Sequence, residues 1–265
     1  MSTVDKALSV LDLFSESRPS IGLSEVARLL DKDKASVQRY LVALLNRGFL
    51  DQDPVSKTYH LGPALHRLAL VREQTYPVET GIRSVLTKLV QDTGETAHSS
   101  HIQKGGLSEV AIVETSFKGT RVYIDPAELL PLHASASGLA YLSALPAAER
   151  RNALGTRLEK FTPSTATNID EVIDRAGAAA ELGYAKSAGT YESDVVGMAA
   201  PVFGANGRPC GAVAIATPGS RFNRDVEKRN APLLIEAAKH ISHLYGARSD
   251  TIDMNTARGL LQGNG

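Results

Sequence analysis

Residues 22–61, GLSEVARLLDKDKASVQRYLVALLNRGFLDQDPVSKTYHL, constrain the fold more tightly than any other part of the chain. Leu23, Val26, Ala27 and Leu30 recur three and four apart, the spacing of one helix face. Ser24 lies near the start, where a side-chain oxygen can cap a free backbone N–H. Asp31-Lys32-Asp33 is a polar break. Val37, Tyr40, Leu41, Leu44 and Leu45 then form the apolar stripe of a second helix over 34–47, closed by Gly48. Phe49-Leu50 leads into a turn-rich tip at 51–57, and 58–61 returns as a strand, which predicts a two-stranded hairpin. Helix, short turn, helix and hairpin is the layout of a winged helix-turn-helix, whose second helix can enter the major groove of DNA.

The opposite face of that second helix carries Lys34, Ala35, Ser36, Gln38 and Arg39. Arg39 can donate two parallel bonds to a guanine edge, and Gln38 can pair bidentately with adenine. Lys34 and Ser36 suit phosphate or base contacts, and Lys57 at the hairpin tip suits the backbone or the minor groove. A polar face that is merely solvated is the competing reading. The helix pair, the glycine stop and the basic tip together favour double-stranded DNA. Across residues 1–62, Lys and Arg equal Asp and Glu in number. Attraction to phosphate must then come from local placement of cations, which predicts weak binding by one copy and a need for two or more.

A helix is expected over 4–14, packed behind the other two, with a loop at 15–22. Beyond residue 62 the pattern changes. Pro63 opens a helix at its first position, where a missing N–H does no harm, and Pro77 ends it. The expected organisation is a DNA-binding domain at 1–62, a linker helix at 63–77, a second domain at 78–248 and a flexible tail at 249–265. In the second domain 78–93, 139–145, 147–154, 168–182 and 224–245 read as helices. Residues 96–103, 107–114, 120–124, 184–187, 198–203 and 210–217 read as strands. Gly105-Gly106 and Asn206-Gly207 supply hairpin turns. The predicted fold class is α+β: a winged helix-turn-helix followed by an α/β sandwich with helices on an antiparallel sheet.

Charge and cysteine usage remove other classes. The formal net charge is zero, which speaks against a protein that coats polyanions. A single cysteine, Cys210, excludes an intrachain disulfide and fits a reducing compartment. No run approaches the ~20 apolar residues of a membrane span, and the first residues lack the basic and apolar regions of a signal peptide. A cytoplasmic location without membrane contact is expected.

The best candidate for a small-molecule site is Leu130-Pro131-Leu132-His133-Ala134-Ser135-Ala136-Ser137-Gly138. Its small residues allow a ligand close to the backbone. The loop runs into a helix whose first N–H groups are free and carry positive partial charge, a seat for a carboxylate or phosphate. Plain capping of that helix by Ser135 or Ser137 is the competing reading. Catalytic signals are weak. Ser135-Ala136-Ser137-Gly138 lacks the first glycine of a G-x-S-x-G elbow, and there is no P-loop, dinucleotide fingerprint or HExxH. His98 and His101 fall on opposite faces of a strand, and His240 with His243 lacks a third ligand, so no metal, cofactor or catalytic residue is expected. A Ser/His hydrolase built on Ser135 and His133, and a DNA-binding protein that needs no ligand, remain as alternatives.

Three stretches carry a resemblance: VDKALSVLDLF with the 22–62 segment, LPLHASASGLAYLSAL at 130–145, and GMAAPVFGANGRPCGAVAIATPGSRF at 197–222. Over roughly residues 3–246 the chain resembles the IclR-type transcriptional regulators. The resemblance implies a GAF-like effector-binding domain, a linker helix that contributes dimer contacts, and assembly as a homodimer or a dimer of dimers. It implies that the 130–138 loop lines the effector pocket, with Leu132, His133, Ala134 and Ser135 beside the backbone N–H groups of Ala136 and Ser137. Strand positions Ser187, Gly197, Ala214 and Ala216 match those that supply polar side chains to small acids in the family. Three of these four have no hydrogen-bonding side chain here, and an unpaired buried polar group costs about 1–3 kcal/mol. The expected effector is therefore larger than glyoxylate or pyruvate: a carboxylate, aromatic in the sharpest form of the expectation, with its body against Met198, Ala214 and Ala216.

Overall fold

A computed structural model describes residues 2–15, 17–116 and 119–249. It divides into two compact units, the first ending at Pro77 and the second starting at Val78. Most of the tail expected over 249–265 lies outside the described residues.

In the first unit, helices α1 (Thr3–Leu8), α2 (Leu23–Leu30) and α3 (Lys34–Asn46) accompany a three-stranded antiparallel sheet of order β1-β3-β2. Its strands are β1 (Ser20–Ile21), β2 (Leu50–Gln52) and β3 (Tyr59–Leu61). Val10, Ile21, Val26, Val37, Leu41 and Leu50 fill the core. Three expectations need correction. The first helix stops at Leu8, where the Ser9 hydroxyl donates to the Lys6 carbonyl at 2.9 Å, and a 3-10 turn at Leu11–Leu13 replaces its second half. The hairpin gains a third strand, because Ile21 points into the core and its backbone pairs with Tyr59. Gly22, not Ser24, occupies the N-cap of α2, with no side-chain cap. α4 (Pro63–Thr75) begins against the glycine that ends α3: the Ala64 N–H donates to the Gly48 carbonyl at 2.9 Å.

The second unit is built on a five-stranded antiparallel sheet of order β5-β4-β8-β7-β6. The strands are β4 (Thr96–Gln103), β5 (Gly106–Val113), β6 (Ala185–Ala188), β7 (Val195–Phe203) and β8 (Pro209–Pro218). Helices α5 (Val78–Thr93) and α9 (Arg224–Leu244) cover one face through Ile82, Leu86, Leu234 and Ile241 against Met198, Val213 and Ile215. Burying each of these side chains contributes roughly 1.5–3 kcal/mol. The other face packs Ala185, Ala199, Ala212 and Ala214 on α6 (Ala136–Ala144) and α8 (Ile169–Leu182), with α7 (Ala147–Leu154) beside them. Alanines on the sheet let α6 sit close. The β4–β5 turn is Lys104-Gly105, one residue earlier than the glycine pair suggests, because Gln103 already pairs with Gly106.

Residues 120–124 are not a strand, so the sheet has five strands rather than about six. The segment passes outside the ladder. Val122 is buried, and its carbonyl accepts from the Thr96 hydroxyl at 3.3 Å. Its β-type composition serves a cavity wall instead of a strand.

Candidate functional site

Two places carry functional chemistry, one in each unit. The first is the N-terminal half of α3. Asp33 caps this helix, accepting the Ser36 N–H at 2.8 Å. That bond holds its carboxyl below the usual aspartate range. The stripe Val37, Tyr40, Leu41 and Leu44 is buried, which turns Lys34, Ala35, Gln38 and Arg39 outward. Arg39 Nη2 donates to the Ser36 hydroxyl at 3.1 Å, so the guanidinium is steadied but keeps free donors. Lys57 stands at the hairpin tip with φ +60°, in a turn closed by Asp53, whose carboxylate accepts the Val55 and Ser56 N–H groups.

The second place is a cavity of about 70 Å³ between α6, the sheet and the 122–130 segment. Its floor is the α6 face of the sheet. Ser187 lies across from Gly197, Gly197 across from Ala216, and Ala216 across from Thr96. The start of α6 closes one end. Ser135 is the N-cap: its hydroxyl accepts the Gly138 N–H at 3.0 Å and donates to the Pro131 carbonyl at 2.8 Å. Capping by Ser135 is therefore real, yet it satisfies only one donor. The N–H groups of Ala136 and Ser137 have no partner among the described residues. These two donors sit at the positive end of the helix beside the cavity, where an acid group is stabilised. Gly138 lets the backbone of Pro131 and Leu132 pack against the start of α6, since a Cβ there would lie 2.4 Å from the Leu132 Cα. Gly197 keeps the floor open, since its Cβ would lie 3.0 Å from the Ala136 Cβ.

Of the sequence-predicted cavity residues, Ser135, Ala136, Ser137, Ser187, Gly197, Ala214 and Ala216 line this space. Four others do not. Met198 follows Gly197 on β7, and alternation sends its side chain to the opposite face, into the α5–α9 core. Leu132 packs beside α6. His133 Nε2 meets the Glu159 carbonyl at 2.7 Å, and its ring packs on Phe161. Ala134 is fully buried, and its carbonyl accepts from the Thr190 hydroxyl at 2.6 Å.

Sequence reasoning missed five polar lining residues: His98, Asp125, Glu128, Tyr191 and Glu192. His98 lies across from Ala214, so it shares the cavity face. A bulge after Ser99 shifts β5 and places Glu109 on that face too, with an oxygen 2.8 Å from His98 Nδ1. The pair is close but off the hydrogen-bond line, so neither oxygen of the buried Glu109 has a well-directed partner. At the mouth, the Tyr191 hydroxyl donates to Glu128 at 2.7 Å. Burial, and then the neighbouring Glu128 charge, push the Glu192 carboxyl up. The signal for His98 was a polar side chain inside a strand, but its face depends on a register that one sequence does not reveal.

Ser135 and His133 are each engaged by backbone groups, and neither bonds the other. Among the described residues no cluster of His, Cys, Asp or Glu is arranged to hold a metal ion. None of the described helices is long and apolar enough to cross a membrane. Burial pushes the Cys210 thiol up to about 11, the opposite of an activated cysteine.

Comparison with known proteins finds a family match in each unit. The family described as the IclR helix-turn-helix domain matches residues 3–54, and the bacterial transcriptional regulator IclR C-terminal family matches residues 73–243. The regulator BhcR of Paracoccus denitrificans is 28% identical, over 93% of this chain and 88% of its own length. The regulator XynR of Escherichia coli is 28% identical, over 87% and 91%. A crystal structure of an IclR-type regulator from Silicibacter aligns with TM-score 0.74 and 35% identity, covering 94% of this chain and 97% of that one. An IclR homologue from Microbacterium hydrocarbonoxydans, solved with 4-hydroxybenzoate, shares the fold at TM-score 0.56 and 21% identity, over 92% of this chain and 99% of its own. With a helix-turn-helix unit followed by an effector-domain fold, and with both parts matched by the family, this chain belongs to the IclR family of ligand-responsive, DNA-binding transcriptional regulators.

Proposed function

We propose that residues 1–62 read a DNA operator through Lys34, Ala35, Ser36, Gln38, Arg39 and Lys57, that 63–77 form the connecting helix, and that 78–248 sense a small acid in the α6 cavity. The observation that carries the sensing assignment is the pair of free N–H groups at Ala136 and Ser137 on the cavity wall. The effector is a carboxylate held there, with its body over Gly197, Ala214 and Ala216. The IclR homologue solved with 4-hydroxybenzoate supports a compact aromatic acid as the first to try. A direct acid contact needs no catalytic group, and the bonds of Ser135 and His133 favour a sensor over a hydrolase.

The chain acts as a homodimer or a dimer of dimers. Neutral charge over 1–62 argues for paired recognition helices, and α4 offers a surface for pairing: Leu68 and Val71 lie exposed, three and six residues on from the half-buried Leu65. Effector binding shifts operator affinity only through unequal affinity for two arrangements of the paired units. Regulation of transcription from a bound operator places the protein in the cytoplasm.

The test is selection of an operator from random DNA, followed by binding of that operator with and without a panel of aromatic and aliphatic acids. Selection of one palindromic sequence whose affinity changes with an acid supports the reading. Recovery of no preferred sequence, or turnover of an acid without effect on DNA, refutes it.

A further inference from the structure

The cavity has two electrically opposite ends. The inner end presents hydrogen-bond donors: the N–H groups of Ala136 and Ser137 and the hydroxyl of Ser137, a buried residue whose side chain makes no hydrogen bond among the described residues. Ser187, a residue more than nine-tenths buried, lines the cavity too, and its hydroxyl makes no hydrogen bond among the described residues. The outer end presents Asp125, Glu128 and Glu192, and among the described residues no Lys or Arg lines the cavity. The three carboxylates line the same end of the cavity as Tyr191, whose hydroxyl donates to Glu128 at 2.7 Å. Tyr191 lies among them, and its phenol is raised first by burial and then by its bond to Glu128 and the charges of Glu128, Glu192 and Asp125. A plain organic anion gains at the inner end and is repelled at the mouth. A molecule with an ammonium group one short spacer from its acid gains at both.

We propose that the natural effector is a small aminocarboxylate, its acid on the Ala136 and Ser137 N–H groups and its amine facing Asp125, Glu128 and Glu192. The mouth then acts as a selectivity filter against simple acids. This rests on the reading of the cavity as the effector site, and the experiment separates the two.

Titration calorimetry on the full chain uses matched triplets of one shape. One is 4-(aminomethyl)benzoate, 4-methylbenzoate and 4-methylbenzylamine; another is 4-aminobutyrate, butyrate and butylamine. The expected result is that within at least one triplet the aminocarboxylate binds at least tenfold more tightly than its plain acid. That advantage shrinks as salt is raised, because the mouth carboxylates are exposed. It falls to less than threefold in the double variant Glu128→Gln, Glu192→Gln. Equal or tighter binding of the plain acids overturns the aminocarboxylate proposal and leaves the acid-sensing assignment standing. An advantage that survives the double variant unchanged also overturns it. No binding by any of the six compounds overturns both.

Discussion

Replacing Arg39 by alanine separates recognition from folding. Arg39 is exposed, and its guanidinium donates a 3.1 Å bond to the Ser36 hydroxyl. Loss of such a contact changes stability by about 0.5 kcal/mol or less. Loss of a bidentate base contact costs about 1–3 kcal/mol. At 1.4 kcal/mol per tenfold, that is roughly 5- to 150-fold per half-site, and a dimer on a palindrome loses two such contacts. Fluorescence anisotropy on operator and scrambled duplexes gives both affinities. Arg39→Ala is expected to weaken operator binding strongly, to leave scrambled binding nearly unchanged, and to keep the melting temperature. Lys34→Ala is the control. A lost phosphate contact lowers both affinities together and reduces the salt slope by about one. If the operator-to-scrambled ratio of Arg39→Ala matched that of the wild type, the base-reading face would be misassigned.

Gly197→Val brings a branched side chain where a bare Cβ already lies 3.0 Å from the Ala136 Cβ and 3.1 Å from the Ser187 hydroxyl. Effector affinity by calorimetry should fall more than tenfold while operator binding persists; unchanged affinity would place the ligand elsewhere. Asp33 has its folded-state pKa lowered, chiefly by the Ser36 N–H, so its contribution is present above the ordinary aspartate value of 3.8 and lost as pH falls through the lower folded value. Thermal melts of wild type against Asp33→Asn should therefore differ near neutrality and converge in acid, and a gap that widens in acid would contradict the cap. Cys210, with its thiol pushed up to about 11 by burial, should be alkylated slowly at pH 8 and faster with each step towards that value; a rate that levels off about one unit above the ordinary value of 9.0 would show an ordinary exposed thiol.

The long helices were legible because burial on one side writes a 3.6-residue period into the sequence. Leu23–Leu30, Val78–Thr93 and Ala147–Leu154 span the residues that the sequence pattern marks as helical. The exposed positions of α3 proposed to read DNA follow from the same period, as the residues opposite its buried stripe. The cavity was half legible. Its acid seat follows from a small-residue loop entering a helix, and Ser187, Gly197, Ala214 and Ala216 occupy one sheet face as the family resemblance implied. The acidic mouth was not, because Glu128 and Tyr191 are far apart in sequence and meet only through the fold. Met198 was misplaced by ignoring the two-residue alternation that separates it from Gly197. Residues 120–124 misled because Val122 and Ile124 are apolar for the sake of a cavity, which has no period of its own.

The most direct measurement is reciprocal linkage. Operator affinity is determined with and without saturating effector, and effector affinity with and without saturating operator, on the same preparation. If the α6 cavity governs the DNA-reading helices, both affinities change by the same factor, at least fivefold, and Gly197→Val abolishes both changes. Two ligands that bind with no influence on each other would show that the cavity does not control the operator.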